Sequence, residues 1–219
     1  SDQNCESGIR QLGNKSLNIL DIVKPLTKYA VRVENPMKLR SILEQAVFYA
    51  KEGRPGPVWI DIPIDIQGMV IENRNQKKFN PPCINVNTNQ LSIDVKNTLN
   101  LFRNANRPVL LVGNGVRLSG AVPIFHKLVD KINVPVLTSR RGADIVPNNH
   151  KLYFGRPGSY GQRAANFIIQ NSDLLLCIGA RLSIPQIGRN YKYFARNAKK
   201  IIVDIDALEL KKKTVSPDI

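Results

Sequence analysis

The residues best placed to do chemistry in this chain are small and cationic, and they recur just after short apolar runs. Gly113-Asn114-Gly115 follows Pro108–Val112. Thr138-Ser139-Arg140-Arg141-Gly142 follows Pro135. Gly179-Ala180-Arg181 follows Asp173–Ile178, and Asp204 and Asp206 end the run from Lys200. A further stretch, Gly155-Arg156-Pro157-Gly158-Ser159-Tyr160, lies between the second and third of these runs. Glycine at such positions lets a backbone approach a flat or phosphorylated ligand, and arginine neutralises phosphate. A terminal aspartate suits ribose hydroxyls. Together they describe a dinucleotide-type site. The fingerprint is incomplete, because Leu118 stands where G-x-G-x-x-G requires its third glycine. Two interpretations stay open on residues alone: a nucleotide site, or glycines that only make tight βα turns.

Other chemistries find little support. No Ser-His-Asp or Cys-His arrangement is suggested, and His126 and His150 are expected on a helix surface and in a loop. The three cysteines, Cys5, Cys83 and Cys177, are odd in number and far apart, which argues against zinc and against a disulfide framework. Cys177 sits in the apolar run DLLLCIGA and is expected to be a buried, inert thiol. These features fit a reducing, cytoplasmic setting. No apolar run approaches the roughly 20 residues that span a bilayer, so no membrane partner is expected. The net charge is +15, yet the basic pairs are scattered and aromatics make up only 6%. A single-strand-binding groove interleaves the two, so no nucleic-acid partner is expected.

The elements that position these residues follow from periodicity. Asn35-Pro36 starts a helix whose apolar stripe is Leu39, Ile42, Leu43, Ala46, Val47 and Ala50, and Gly53 ends it. The near-continuous apolar strand 58–62 is expected to be buried on both faces of a parallel sheet. Residues 67–90, with Pro81-Pro82, form a linker. Beyond it, helix and strand alternate: helix 93–103, strand 108–112, helix 121–132, strand 135–138, a long loop 139–160, helix 162–170, strand 173–178 and strand 200–205. This is an α/β fold with a doubly wound parallel sheet.

The motifs, taken in order, resemble one family. GRPGPVWIDIPIDIQ looks like the end of the pyrimidine-binding domain of thiamine diphosphate enzymes of the acetolactate synthase-like group. RPVLLVGNGVRLSGA, VPVLTSRRGADIVP, HKLYFGRPGSYGQRAANFIIQNSDLLLCIGARL and AKKIIVDID resemble that family's central domain. The resemblance implies a Rossmann-like, six-stranded type of sheet over 91–219, preceded at 1–66 by the C-terminal portion of a second α/β domain. It further implies a piece of a longer enzyme that decarboxylates a 2-ketoacid such as pyruvate and joins the remainder to a second ketoacid, inactive as the piece alone. The alternative is a nucleotide-binding or structural module that reuses the central fold without catalysis.

Cofactor and partner expectations also come from the resemblance. It implies thiamine diphosphate and Mg2+, held by motifs outside this chain; no Gly-Asp-Gly occurs here. It implies a homodimer or homotetramer. Lys28 matches a lysine near the family's substrate channel, and Lys15 stands where the group has glutamine. FAD, or an ADP-like nucleotide, would face Gly113, Gly115, Gly179, Ala180, Arg181 and Asp204. Against a flavin, Ser159-Tyr160 replaces a Met-His pair, and Leu182-Ser183-Ile184-Pro185 lacks the acids and second arginine that follow Arg181 in the group.

Overall fold

The computed structural model describes residues 17–72, 76–83 and 88–219. Lys15 and Cys5 lie outside the described residues. The chain divides into two compact units between Asn85 and Val86.

The first unit carries α1 (Ile19–Val23), β1 (Tyr29–Arg32), α2 (Leu39–Lys51), β2 (Val58–Asp61) and α3 (Ile64–Gln67). Asn35 caps the approach to α2, its side chain accepting from the Met37 N–H at 2.9 Å, with Pro36 at the first position of a 3₁₀ turn. The strands β1 and β2 pair in parallel, Tyr29 opposite Val58 and Arg32 opposite Asp61. The core is small: Val33, Ile42 and Ile66, with Val31, Leu39, Ile60 and Ile62 packed on it.

Two expectations are corrected in this unit. The strand predicted to be buried on both faces is half-buried along its length, and Trp59 is 41% exposed. Of the α2 stripe only Ile42 and Ala46 are buried, while Leu43 and Val47 are exposed. The physical reason is the same for both. Among the described residues β1 and β2 pair only with each other. A two-stranded sheet covers one line of a helix, not a broad face.

Part of the stretch 67–90 lies on α2. The Gln76 amide accepts from the Arg40 N–H and donates to the Pro36 carbonyl, both at 3.1 Å. Glu44 accepts from the Phe79 N–H at 2.8 Å, and the Phe79 ring meets Phe48 at 5.5 Å.

The second unit holds α4 (Thr88–Asn104), β3 (Pro108–Val112), α5 (Gly115–Leu118), α6 (Val122–Ile132), β4 (Val136–Thr138), α7 (Arg163–Gln170), β5 (Leu174–Ile178), α8 (Ile184–Ile187), β6 (Lys199–Val203) and α9 (Ala207–Leu210). The strands run β4-β3-β5-β6, all parallel. The chain winds from β3 out to β4, then returns past β3 to β5 and β6. That reversal is the doubly wound arrangement, and its switch point lies between β3 and β5.

Ladder bonds extend the sheet at both edges. Val136 donates to the Leu152 carbonyl and accepts from Phe154, so part of the expected long loop runs beside β4. Ile202 donates to the Ile219 carbonyl, and Asp218 and Ile219 donate to Lys200, beside β6.

Alternate strand residues serve opposite faces, as the two-residue period of a strand requires. Val109, Leu111, Leu175, Cys177 and Ile202 pack with Ala165 and Ile169 of α7. Leu110, Val112, Leu174, Leu176 and Ile201 pack with Phe125 and Val129 of α6. Both faces are covered, so the inner strands β3 and β5 are apolar throughout, while the edge strand β6 opens on Lys199-Lys200 and is buried only at Ile201 and Ile202. No described helix is long and apolar enough to cross a membrane.

Candidate functional site

In an open α/β sheet, ligands bind beyond the carboxyl ends of the strands, at the switch point. Here that point is occupied by backbone. The Gly113 N–H donates to the Ile178 carbonyl at 2.9 Å, the Gly115 N–H donates to the Gly179 carbonyl at 3.0 Å, and Gly179 donates to Val203 at 2.8 Å. A Cβ built on Gly113 would lie 2.1 Å from the Gly179 oxygen, and one on Gly115 would lie 2.7 Å from the Gly179 Cα. Gly179 also has φ +59°. The loops after β3 and β5 therefore touch directly, and only glycine permits that contact. Ala180 is buried behind them.

The polar residues nearby are engaged with one another. Arg181 donates from Nε to Glu209 at 2.9 Å. The Lys212 ammonium donates to the same carboxylate at 3.0 Å, to the Leu182 carbonyl at 3.2 Å, and to the Arg181 carbonyl. Leu182, whose carbonyl takes part in this network, has φ +51° and a buried side chain. Asp204 accepts from the Asp206 N–H at 3.0 Å, and Asp206 caps α9 by accepting from Leu208 at 3.0 Å. On the β4 side, Arg117 donates to Asn114 at 2.7 Å, to the Arg141 carbonyl at 3.2 Å and to Asp144 at 2.5 Å. That hydrogen bond is the first cause holding the Asp144 carboxyl below its ordinary value.

The segment 155–162 is braced from within. The Arg156 N–H donates to the Gln162 side chain at 2.7 Å, and the Gln162 N–H donates to the Arg156 carbonyl at 2.9 Å. Asn166 brackets Gly158 from both sides, at 2.8 and 3.1 Å. Tyr160 projects outward, 82% exposed. Beneath this segment lies a cavity of about 490 Å³, lined by Ala143, Asp144, Val146, Pro147, Asn148, Tyr153, Arg156 and Gln162.

Of the residues singled out from sequence, Gly113, Gly115, Gly179 and Ala180 come together at the switch point. Arg181 and Asp204 stand at the ends of β5 and β6, each held by the neighbouring α9 segment. Lys28 belongs to the first unit. Its ammonium donates to the Glu52 and Arg54 carbonyls, the latter at 3.1 Å, and its stem lies against Gly56, so it holds the turn before β2. His126 meets the Ile145 carbonyl at 2.6 Å, and His150 accepts from the Leu152 N–H at 3.3 Å, so both rings brace backbone. Burial pushes the Cys177 thiol up to about 12, as expected for an inert core residue. Sequence reasoning did not find Glu209 and Lys212. Lys212 lies in a run of three lysines, and Glu209 carries no motif of its own.

The comparisons with known proteins agree with this architecture. Residues 95–219, more than half of the chain, match the family described as thiamine pyrophosphate enzyme, central domain. The chain is 34% identical over 208 residues to a probable acetolactate synthase large subunit of Methanococcus aeolicus, which covers 94% of this chain and 34% of that protein. It is 36% identical over 188 residues to the acetolactate synthase isozyme 1 large subunit of Escherichia coli (strain K12), covering 86% and 33%. It is 31% identical over 198 residues to the acetolactate synthase large subunit of Lactococcus lactis, covering 90% and 34%. The chain belongs to the thiamine pyrophosphate enzyme family. It spans about a third of the length of the curated relatives it matches.

Proposed function

We propose that this chain is a supporting part of a thiamine diphosphate- and Mg2+-dependent, acetolactate synthase-like enzyme that acts on a 2-ketoacid as a homodimer or homotetramer. The observation that carries this is the length of the match: the similarity to acetolactate synthase large subunits runs through both units, over 94% of the chain. A borrowed central domain alone would match only the second unit. When bound, thiamine diphosphate would supply the nucleophilic carbon that decarboxylation and carboligation of a 2-ketoacid require. The residues of this chain hold the central sheet and its strand-end loops, and none of them is assigned a step in that chemistry.

We propose further that Gly113, Gly115, Gly179, Ala180, Arg181 and Asp204 serve the contact between the strand-end loops, with no flavin or ADP-like nucleotide bound at them. The β3 and β5 loops bond to each other at 3.0 Å, which leaves no room for a pyrophosphate between them. We therefore assign these groups to holding the loops together rather than to a dinucleotide.

The test uses the longest open reading frame that contains this chain. Supplied with thiamine diphosphate, Mg2+ and pyruvate, its product should release carbon dioxide and form a carboligation product, and it should be colourless. Failure to turn over any 2-ketoacid would favour a non-catalytic module. Flavin absorbance released on denaturation would overturn the assignment of the switch-point residues.

A further inference from the structure

The cavity beneath residues 155–162 differs from the switch point in one respect: its cation has no partner among the described residues. The Arg156 side chain makes no hydrogen bond or ion pair among the described residues. By contrast, Arg117 and Arg181 are both paired to carboxylates. The Arg156 backbone is fixed on both sides by Gln162, so the guanidinium extends from a braced point beside a recess of about 490 Å³.

The rest of the lining is rich in donors. Gln162 spends its side-chain oxygen on the Arg156 N–H, and its amide nitrogen has no hydrogen bond among the described residues. Asn148 adds a second amide. Tyr153 is set by its hydroxyl contact to the fully buried Thr138 at 3.1 Å, while the Thr138 N–H donates to Gly155. The one acid in the lining, Asp144, is held by Arg117 at 2.5 Å. Its charge is thereby compensated, and its remaining lone pairs can accept from a hydroxyl. A planar guanidinium flanked by amides and a phenol is the donor set that recognises a small oxyanion, with two parallel N–H groups offered to one phosphate or carboxylate.

We propose that this β4-side cavity is a binding site for a small hydroxylated metabolite bearing a phosphate or a carboxylate, with Arg156 as its anion anchor. The site is distinct from the switch point and does not depend on the proposed enzymatic activity. Its position, just past the carboxyl end of β4 and the paired segment 152–155, is where a parallel sheet presents its ligands. Val146 and Pro147 supply an apolar wall for a short carbon chain.

The experiment is a titration of the whole chain, followed by amide chemical shifts at physiological ionic strength. One arm uses inorganic phosphate and another uses glycerate, which separates a phosphate ligand from a carboxylate ligand. Saturable shifts confined to residues 143–148 and 153–162 are expected with at least one of them. Arg156→Gln should weaken that binding by about ten- to a hundredfold, the effect of losing a charged hydrogen-bonding partner. Arg156→Lys should retain part of it, and Arg189→Gln, an exposed cation elsewhere, should leave it unchanged. The spectra themselves report whether each variant is folded, and the Lys variant keeps the test valid if the Gln variant is not. Saturation by neither anion would overturn the proposal. So would equal weakening in Arg156→Gln and Arg189→Gln, which would mean general attraction to a basic surface.

Discussion

Two parallel sheets in this molecule are built from similar strands and end up very differently buried. In the second unit β5 reads Leu-Leu-Leu-Cys-Ile, and its first four residues are buried. In the first unit β2 reads Val-Trp-Ile-Asp and no residue of it is fully buried. Strand composition does not account for this, since both runs are short and the apolar Val58 and Ile60 of β2 are themselves only half-buried. Neighbours do. β5 lies between β3 and β6 with α6 and α7 on its faces, whereas β2 has β1 alone among the described residues. Isolated two-stranded units are marginal in water, and a third strand or a packed helix is what brings independent stability.

That difference should be measurable as unequal costs of truncation. Leu175→Ala removes a fully buried side chain between two covered faces and should cost about 4 kcal/mol, within the range of buried leucine truncations. Ile60→Ala, in the half-buried β2, should cost about 1 kcal/mol, because less area leaves the interior. Far-UV circular dichroism in urea reads the first, and the emission of Trp59, the single tryptophan, reads the second. Equal losses would break the comparison.

Glycines sharpen it at the level of backbone. Gly113→Ala drives a methyl group into the Gly179 carbonyl, backbone against backbone, and should cost about 3 kcal/mol, the upper part of the range for overpacking. Gly53, in the first unit, has φ +55° with open space around it. Its alanine variant should cost only the left-handed conformation, about 1 kcal/mol. Thermal melts of the two variants give the ordering, and a milder effect at Gly113 would mean that the β3 and β5 loops part easily.

The architecture was legible in sequence where one local pattern decides the outcome. The Asn35-Pro36 helix start, the Cys177 strand and the βα alternation of the second unit are each fixed within a dozen residues. What was missed depends on partners distant in the chain. The pairing of residues 152–155 with β4 is invisible in Leu152-Tyr153-Phe154, which is too short to show a period. The Arg181–Glu209–Lys212 network joins residues about thirty positions apart. The switch-point glycines were visible, but the choice between cradling a ligand and touching a facing loop is set by where β5 lies. The wide α2 stripe promised more burial than two strands provide.

Acid should loosen both units through different carboxylates. Glu44 is held below its ordinary value, first by the hydrogen bond from Arg40, then by the Phe79 N–H, with burial opposing. For Asp173 burial is the largest influence and raises the value, but the backbone N–H groups of Arg107, Asn106 and Asp173 itself, with the Arg107 charge, together outweigh it and the net direction is down. A carboxyl depressed by folding stabilises the protein above its unfolded value and ceases to do so as pH falls through the folded one. The unfolded values are roughly 4.3 for glutamate and 3.9 for aspartate, so both contributions should be intact near neutrality and fade below about pH 4. Amide exchange at Phe79 and Arg107 should rise together with each titration. Added salt should diminish the Glu44 effect, because that carboxylate is exposed. Loss of protection on raising the pH from neutrality would contradict the sign.

The smallest expected effect leaves stability untouched and reports on the comparison most directly. Cys83 is exposed in the segment that trails the first unit, while Cys177 is enclosed between β3 and β6. A thiol must ionise to attack a disulfide reagent, and Cys177, pushed up to about 12, is both protonated at neutral pH and out of reach. In a Cys5→Ser chain, which leaves these two thiols, one equivalent should therefore react at once and the second only as fast as the central sheet opens. Adding Leu175→Ala should speed the second phase and leave the first alone, since the deleted side chain lies in the sheet that encloses Cys177. Two fast thiols in the unmutated core would mean that the buried sheet opens as readily as the half-covered one, and that neighbours on both faces confer no protection here.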